Sequence, residues 1–156
     1  MEQVKLDKIV KLHSLWLMNE PKGKQANLRN ADLQYADLQY ADLRNADLLN
    51  ADLLNANLRR ADLQSADLRS ADLQRANLQR ADLQYANLQG ANLDFSSWPL
   101  WCGSLNVKVD ERIAIQLLYH ALAVNCDSKA FNKIKKLKSV KNLVNKFRRI
   151  PEVPEL

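Results

Sequence analysis

Glycine and proline are scarce in this chain, with three and four copies in 156 residues, and cysteine and histidine occur only twice each. Three scattered glycines leave no glycine-rich loop to cradle a phosphate. The prolines, Pro21, Pro99, Pro151 and Pro154, leave a long central stretch uninterrupted and mark where one structure stops and another starts. Cys102 and Cys126 are too few for a disulfide framework and lack the paired spacing of a structural zinc site, so they read as reduced, partly buried thiols. His120 stands six residues before Cys126 and eighteen after Cys102, which gives no nucleophile–base pattern. No apolar run reaches eighteen residues and no signal-peptide pattern is present, so the expectation is a small cytoplasmic protein with no integral membrane segment.

What the chain has instead is a repeat. From Ala26 to Asn92 an alanine returns every fifth residue, followed by Asp or Asn and then by Leu, through fourteen consecutive copies. An α-helix advances 100° per residue, so leucines five apart would ring it rather than form a stripe. A plain strand, with its period of two, would send successive leucines to opposite faces. Within one unit, however, Ala and Leu are two apart and point the same way if three residues are extended and the next two turn a corner. Four such units close a square coil of twenty residues, and coils stack at about 4.8 Å. The inward ladder is then Leu28, Leu33, Leu38, Leu43, Leu48, Leu53, Leu58, Leu63, Leu68, Leu73, Leu78, Leu83, Leu88 and Leu93, with the alanines beside them.

Ala-(Asp/Asn)-Leu-X-X in unbroken tandem resembles the pentapeptide-repeat proteins. The resemblance covers residues 26–95 and implies an all-β solenoid, a right-handed quadrilateral β-helix of about 3.5 coils, here flanked by helical caps. It implies architecture far more than function: the best understood members mimic DNA and bind type II topoisomerases such as gyrase.

Three segments follow from composition. Residues 1–25 form an N-terminal capping helix and linker, 26–95 the repeats, and 96–156 a connector and a C-terminal helical pair; their net charges are +2, −3 and +6. Val4, Leu6, Ile9, Val10, Trp16 and Leu17 make an amphipathic helix over 2–18 that ends at Pro21 and Gly23 and covers the open end of the first coil. His13 lies close to that stripe and reads as a satisfied helix histidine. After the last repeat comes an aromatic connector with Trp98 and Trp101. Asp110 can cap a helix to about Asn125, and Ser128 a second to about Arg149, sealing the other end and offering a route to a homodimer.

Folding the repeats onto four faces separates the charges. The first face, carrying Leu28 and Leu48, balances Arg29 and Arg69 against Asp47 and Asp67. The second carries Asp32, Asp52, Asp72 and Asp94 against Arg75, the third Arg59, Arg60 and Arg80 against Asp37, and the fourth Asp42, Asp62 and Asp82 against Arg44. Tyr40, Arg60 and Arg80 stack one coil apart with Arg75 around the corner, a candidate site for an anionic partner. Leu49 and Leu54 stand at outward positions otherwise held by Arg, Gln or Asp and form a small apolar patch.

The aspartates recur as consensus residues on convex faces with no cleft to desolvate them, so the sequence points away from an enzyme, a cofactor, a metal or a small-molecule substrate. The reading is a non-catalytic scaffold that engages an unidentified protein partner through rigid outer faces. The resemblance supplies the alternative, a DNA mimic that binds or protects a topoisomerase. A further alternative is anion or nucleic-acid binding by the basic C-terminal helix, through Lys129, Lys133, Lys136, Lys141, Arg148 and Arg149.

Overall fold

The computed structural model describes residues 1–97, 107–110 and Ile113. The chain divides into two units, Met1–Val109 and Asp110–Leu156. In the second, Asp110 Oδ1 accepts the Ile113 N–H at 2.9 Å, the contact of an N-cap residue with the third residue of a helix. Both cysteines, His120, Trp98, Trp101 and the helices expected beyond Ile113 lie outside the described residues.

In the first unit the second residue of each of the first eleven repeats pairs in parallel with the residue twenty further on, as Asn27 with Asp47, Asp47 with Asp67, and Asp67 with Asn87. One coil is therefore four repeats. The contacts are single bridges, and among the described residues no longer strand forms, because each face is extended for only three residues before the chain turns. The ladder also runs past the fourteen repeats. Ser97 pairs with Asn77 and Lys108 with Asn87, so the first face carries five layers where the repeats alone supply four.

Backbone hydrogen bonding explains why five residues suffice, since every N–H of an interior repeat has a defined partner. In the unit 46–50, the Ala46 N–H closes the turn on the Leu43 carbonyl at 3.0 Å. Asp47 donates back to Ala26 at 3.0 Å, while Leu48 and Asn50 donate forward to Asp67 and Arg69 at 2.8 and 2.9 Å. The remaining N–H, on Leu49, is taken by the Asp47 side chain at 3.1 Å. Buried backbone groups cost free energy when left unpaired, and here each finds its partner within two neighbouring coils.

The fifth residue of each repeat sits in the left-handed region, from Asn30 at φ 55° to Phe95 at φ 61°. A positive φ at the third position of a four-residue turn is the demand of a type II turn, normally met by glycine or asparagine. Asn30, Asn45, Asn50, Asn55 and Gly90 meet it readily, whereas Tyr, Arg, Ser and Phe hold it at the remaining corners. Inside the square, the fourteen ladder leucines are buried, as are most of the repeat alanines; Ala31 and Ala41, both in the first coil, are partly exposed.

Helix α1, Gln3–Leu17, covers that first coil and has Leu6 and His13 as its buried residues. Val4 does not join the inward stripe, being 81% exposed. The helix stops before Pro21 is reached. Asn19 adopts φ 58°, its N–H bonds to the Trp16 carbonyl at 3.0 Å and the Glu20 N–H to that of Leu15 at 2.9 Å, a left-handed stop of the Schellman kind. Gly23 then crosses the helix so closely that a Cβ there would lie 2.2 Å from the Trp16 nitrogen.

Side chains of this N-terminal segment supply the bonds that a preceding coil would make. Gln3 behaves like a strand edge: its Nε2 donates to the Asp37 carbonyl at 2.8 Å and its Oε1 accepts the Asp37 N–H at 3.0 Å. The terminal amino group donates to the Asp32 carbonyl. Gln25 Nε2 donates to the Asn45 carbonyl at 2.6 Å. His13 bridges two more groups, its Nδ1 accepting the Ala26 N–H and its Nε2 reaching the Arg44 carbonyl, both at 3.0 Å, with the ring stacked on Trp16 at 5.4 Å. Since Ala26 can only donate and the Arg44 carbonyl only accept, the proton is on Nε2 and the ring is neutral.

Burial holds the His13 pKa below its ordinary value, outweighing the Arg44 carbonyl and the Asp42 carboxylate that favour the charged ring, while the Arg44 charge adds to the lowering. A second proton would also face the Ala26 N–H. For a group depressed on folding, stability is independent of its titration above the unfolded pKa of about 6.5. It is lost progressively as pH falls from there towards the folded value, because the unfolded chain takes up a proton that the folded one refuses. Urea midpoints should therefore fall between about pH 7.5 and 5.5 in the native chain and change less in His13→Gln. Equal profiles for the two chains would show that His13 does not stay neutral in the fold.

Candidate functional site

The second position of the repeat is the first place to look for chemistry, since it carries most of the acid. In all fourteen repeats its Oδ1 accepts the N–H of the fourth residue, at 3.0–3.3 Å. This Asx turn needs an oxygen, not a charge, which is why Asp and Asn interchange along the chain. Asp72→Asn is expected to leave stability nearly unchanged. Asp72→Ala should cost about 1–2 kcal/mol through the orphaned Gln74 N–H. Equal urea midpoints for the Asn and Ala variants would contradict that division.

The four faces differ in how their charges are paired. On the first, Arg29 meets Asp47 at 2.8 Å and Arg69 meets Asp67 at 2.6 Å. On the fourth, Arg44 holds Asp42 at 2.7 Å and reaches Asp62 at 3.6 Å. The arginine hydrogen bonds keep the carboxyls of Asp42 and Asp67 below the usual range. Burial raises that of Asp62, helped by the charges of Asp42 and Asp82 one coil to either side. Asp82 receives the Gln64 amide at 2.9 Å. On the second face Asp52 receives the Gln34 amide.

On the third face Arg60 lies over the Tyr40 ring, 5.5 Å from its centroid, and its Nη1 donates to the Tyr40 hydroxyl at 3.1 Å. Arg75, at the corner between the second and third faces, lies 6.0 Å from the centroid of Phe95. Arg80 is exposed in the column above Arg60, and Arg59 is half-buried beside it. None of these four arginines makes an ion pair among the described residues. Leu49 and Leu54 are half-buried, in columns between Arg29 and Arg69 and between Gln34 and Gln74.

Among the described residues no three His, Cys, Asp or Glu side chains converge to hold a metal ion, and no helix is long and apolar enough to cross a membrane. The basic residues from Lys129 to Arg149 lie outside the described residues.

Twenty-residue coils of four five-residue units, bridged in parallel and packed on alanine and leucine, define a repeat solenoid. A family model described as "Pentapeptide repeats" matches residues 26–64 and 61–94, in eight copies. Residues 26–94 are thus a run of pentapeptide repeats, the segment by which the chain is similar to the pentapeptide-repeat proteins.

Similar solved structures include the pentapeptide repeat protein Rfr23 from the cyanobacterium Cyanothece 51142, 37% identical over 55% of this chain and 58% of that one, with a TM-score of 0.35. HetL of Nostoc sp. strain PCC 7120, a pentapeptide repeat protein involved in heterocyst differentiation regulation, is 40% identical over 53% of this chain and 38% of that one, with a TM-score of 0.29. A trypsin-treated form of QnrB1, described as a plasmid-mediated fluoroquinolone resistance protein, is 20% identical over 64% of this chain and 46% of that one, with a TM-score of 0.50, a likeness of fold alone. The match thus spans 58%, 38% and 46% of the lengths of these three structures, in the order given. No curated protein matches it.

Proposed function

We propose that the chain is a non-catalytic scaffold whose repeats form a right-handed quadrilateral β-helix and whose outer faces present fixed columns of side chains to a protein partner. The observation that carries this reading is the complete backbone hydrogen bonding of interior repeats such as 46–50, which ties them to the coils on either side. Side chains on such a frame are already ordered, so little entropy is lost when a partner docks. The aspartates that would otherwise suggest acid–base chemistry are engaged with the backbone. Capture from a bacterial lysate at low and high salt tests the reading. A protein retained by the native chain, and lost when outward residues of one face are changed, is the expected result; failure to retain any protein would overturn it.

A second reading has a specific observation in its favour. Asp42, Asp62 and Asp82 form a column repeating at the coil spacing on one face, and Asp32, Asp52 and Asp72 another on the opposite face, as an acidic rod bound by a type II topoisomerase in place of DNA requires. Against it, Arg44 neutralises part of the first column, and the third face between the two is basic. Supercoiling by DNA gyrase is therefore expected to proceed without strong inhibition at about micromolar protein. Salt-sensitive inhibition abolished by changing Asp42, Asp62 and Asp82 to Asn would establish the topoisomerase reading instead.

A further inference from the structure

Among the described residues the positive charge of the third face is unpaired, for a reason visible in the ladder. Arginines at the fourth position of a repeat find a carboxylate in one of two places. One is the second position of their own repeat, where Arg44 meets Asp42 at 2.7 Å and Arg69 meets Asp67 at 2.6 Å. The other is the second position one coil on, where Arg29 meets Asp47 at 2.8 Å and Arg44 reaches Asp62 at 3.6 Å. For Arg59 those two places are Asn57 and Asn77, which pair in the same ladder. Asn57 still performs the backbone task, its Oδ1 accepting the Arg59 N–H at 3.3 Å, but brings no charge. The turn chemistry is kept while the counter-charge is removed.

The two corners bordering this face carry the rest of the pattern. One holds Arg75 against Phe95, and the other Tyr40, Arg60 and Arg80 in successive coils, about 4.8 Å apart. Tyr40 is 58% exposed and Phe95 66% exposed, each ring lending a face to the guanidinium of an exposed arginine. Guanidinium groups suit phosphate geometry, and exposed rings beside a positive track are what unpaired bases stack on. An acidic polypeptide would use the arginines but has no use for the rings.

We propose that the third face and its two corners bind single-stranded nucleic acid, with phosphates on Arg59, Arg60, Arg75 and Arg80 and bases against Tyr40 and Phe95. The inference rests on the reading of the solenoid as a preorganised recognition rod. Its failure would leave protein binding on the other faces untouched, because the lysate experiment reads those separately.

The test is fluorescence anisotropy of a labelled oligothymidylate of about twelve nucleotides with the full chain, across about 50–300 mM salt. The native chain should bind with a marked salt slope. Changing the four arginines to Gln should weaken binding at least about tenfold at low salt and flatten the slope by about 3, at roughly 0.7 for each phosphate of a single strand that is no longer neutralised. Tyr40→Asn and Phe95→Asn keep a residue suited to the left-handed corner, as at Asn45 and Asn55. Each should lower affinity about tenfold with the slope unchanged. Urea midpoints equal to that of the native chain certify that the variants are folded. Three results would overturn the proposal: no binding at about 50 mM salt, binding indifferent to the four arginines and hence located elsewhere on the chain, or ring substitutions without effect while polyglutamate competes as well as the oligonucleotide, the mark of an acidic protein partner.

Discussion

Leu63→Ala is expected to lower stability by about 2–5 kcal/mol, the range for emptying a buried leucine site. Leu63 is wholly buried in the column between Leu43 and Leu83, and a square coil pinned by ladder bonds on every side has little freedom to collapse into the gap. The neighbouring outward residue supplies the control. Gln64 offers its N–H to Asp62 through the backbone, which any residue can do, and its side-chain amide to Asp82 at 2.9 Å on the outside of the coil. Gln64→Ala should cost less than about 1 kcal/mol. Denaturant titrations of the two variants give the comparison, and equal losses would mean that the phase of the repeat has been misassigned.

Removal of residues 1–20 should have the other large effect, on association rather than on local packing. Without this segment, Leu28, Leu33 and Leu38 lose the helix that covers their coil, and the backbone groups of Ala26, Asp32, Asp37 and Arg44 lose Met1, Gln3 and His13 as partners. An uncovered sheet edge above an apolar ring is a template for another chain. Size-exclusion chromatography of the truncated chain should show end-to-end oligomers or aggregate. A profile and a urea midpoint unchanged from the full chain would show that α1 is not a cap.

The inward ladder is legible from sequence because it depends on a single fact, that Ala and Leu are the two positions of five that never admit a polar residue. The second position is harder. Its nine aspartates invite a reading in terms of charge, and the structure shows an acceptor serving the fourth residue's N–H. The clue in the sequence is the free exchange of Asp with Asn, as at Asn57, Asn77 and Asn87, since the two share an oxygen but no charge. The left-handed fifth position is better concealed. Four asparagines and Gly90 hint at it, but Tyr35, Arg60, Ser65 and Phe95 occupy the same conformation under the compulsion of the bonds around them.

At the N-terminal end the helix is visible in its periodicity and its partners are not. Gln3 and Asp37 are thirty-four residues apart, and His13 and Arg44 thirty-one, so no local pattern announces that two side chains stand in for a missing coil. Placing Val4 on the inward stripe follows from its hydrophobicity alone; it is Leu6 and His13, seven residues apart and so on one side of the helix, that turn inward. The third face is half legible. Its arginines can be counted in the sequence, but their lack of counter-charge emerges only once the ladder shows that the places serving Arg29, Arg44 and Arg69 are filled by Asn57 and Asn77 around Arg59.

The way each coil takes its hydrogen bonds from its neighbours also bears on how the rod is assembled. Every ladder bond joins residues nineteen to twenty-two apart, so adding a coil closes a loop of nearly the same modest length and meets a surface already in register. Only the first coil has no predecessor to copy. Gln3 and His13 present donors and acceptors where the edge of such a predecessor would be, so α1 offers the first coil the template that every later coil finds in its neighbour. If the first coil forms early on that template, His13→Gln slows refolding while Leu83→Ala chiefly speeds unfolding, a division that stopped-flow chevrons of the two variants would read.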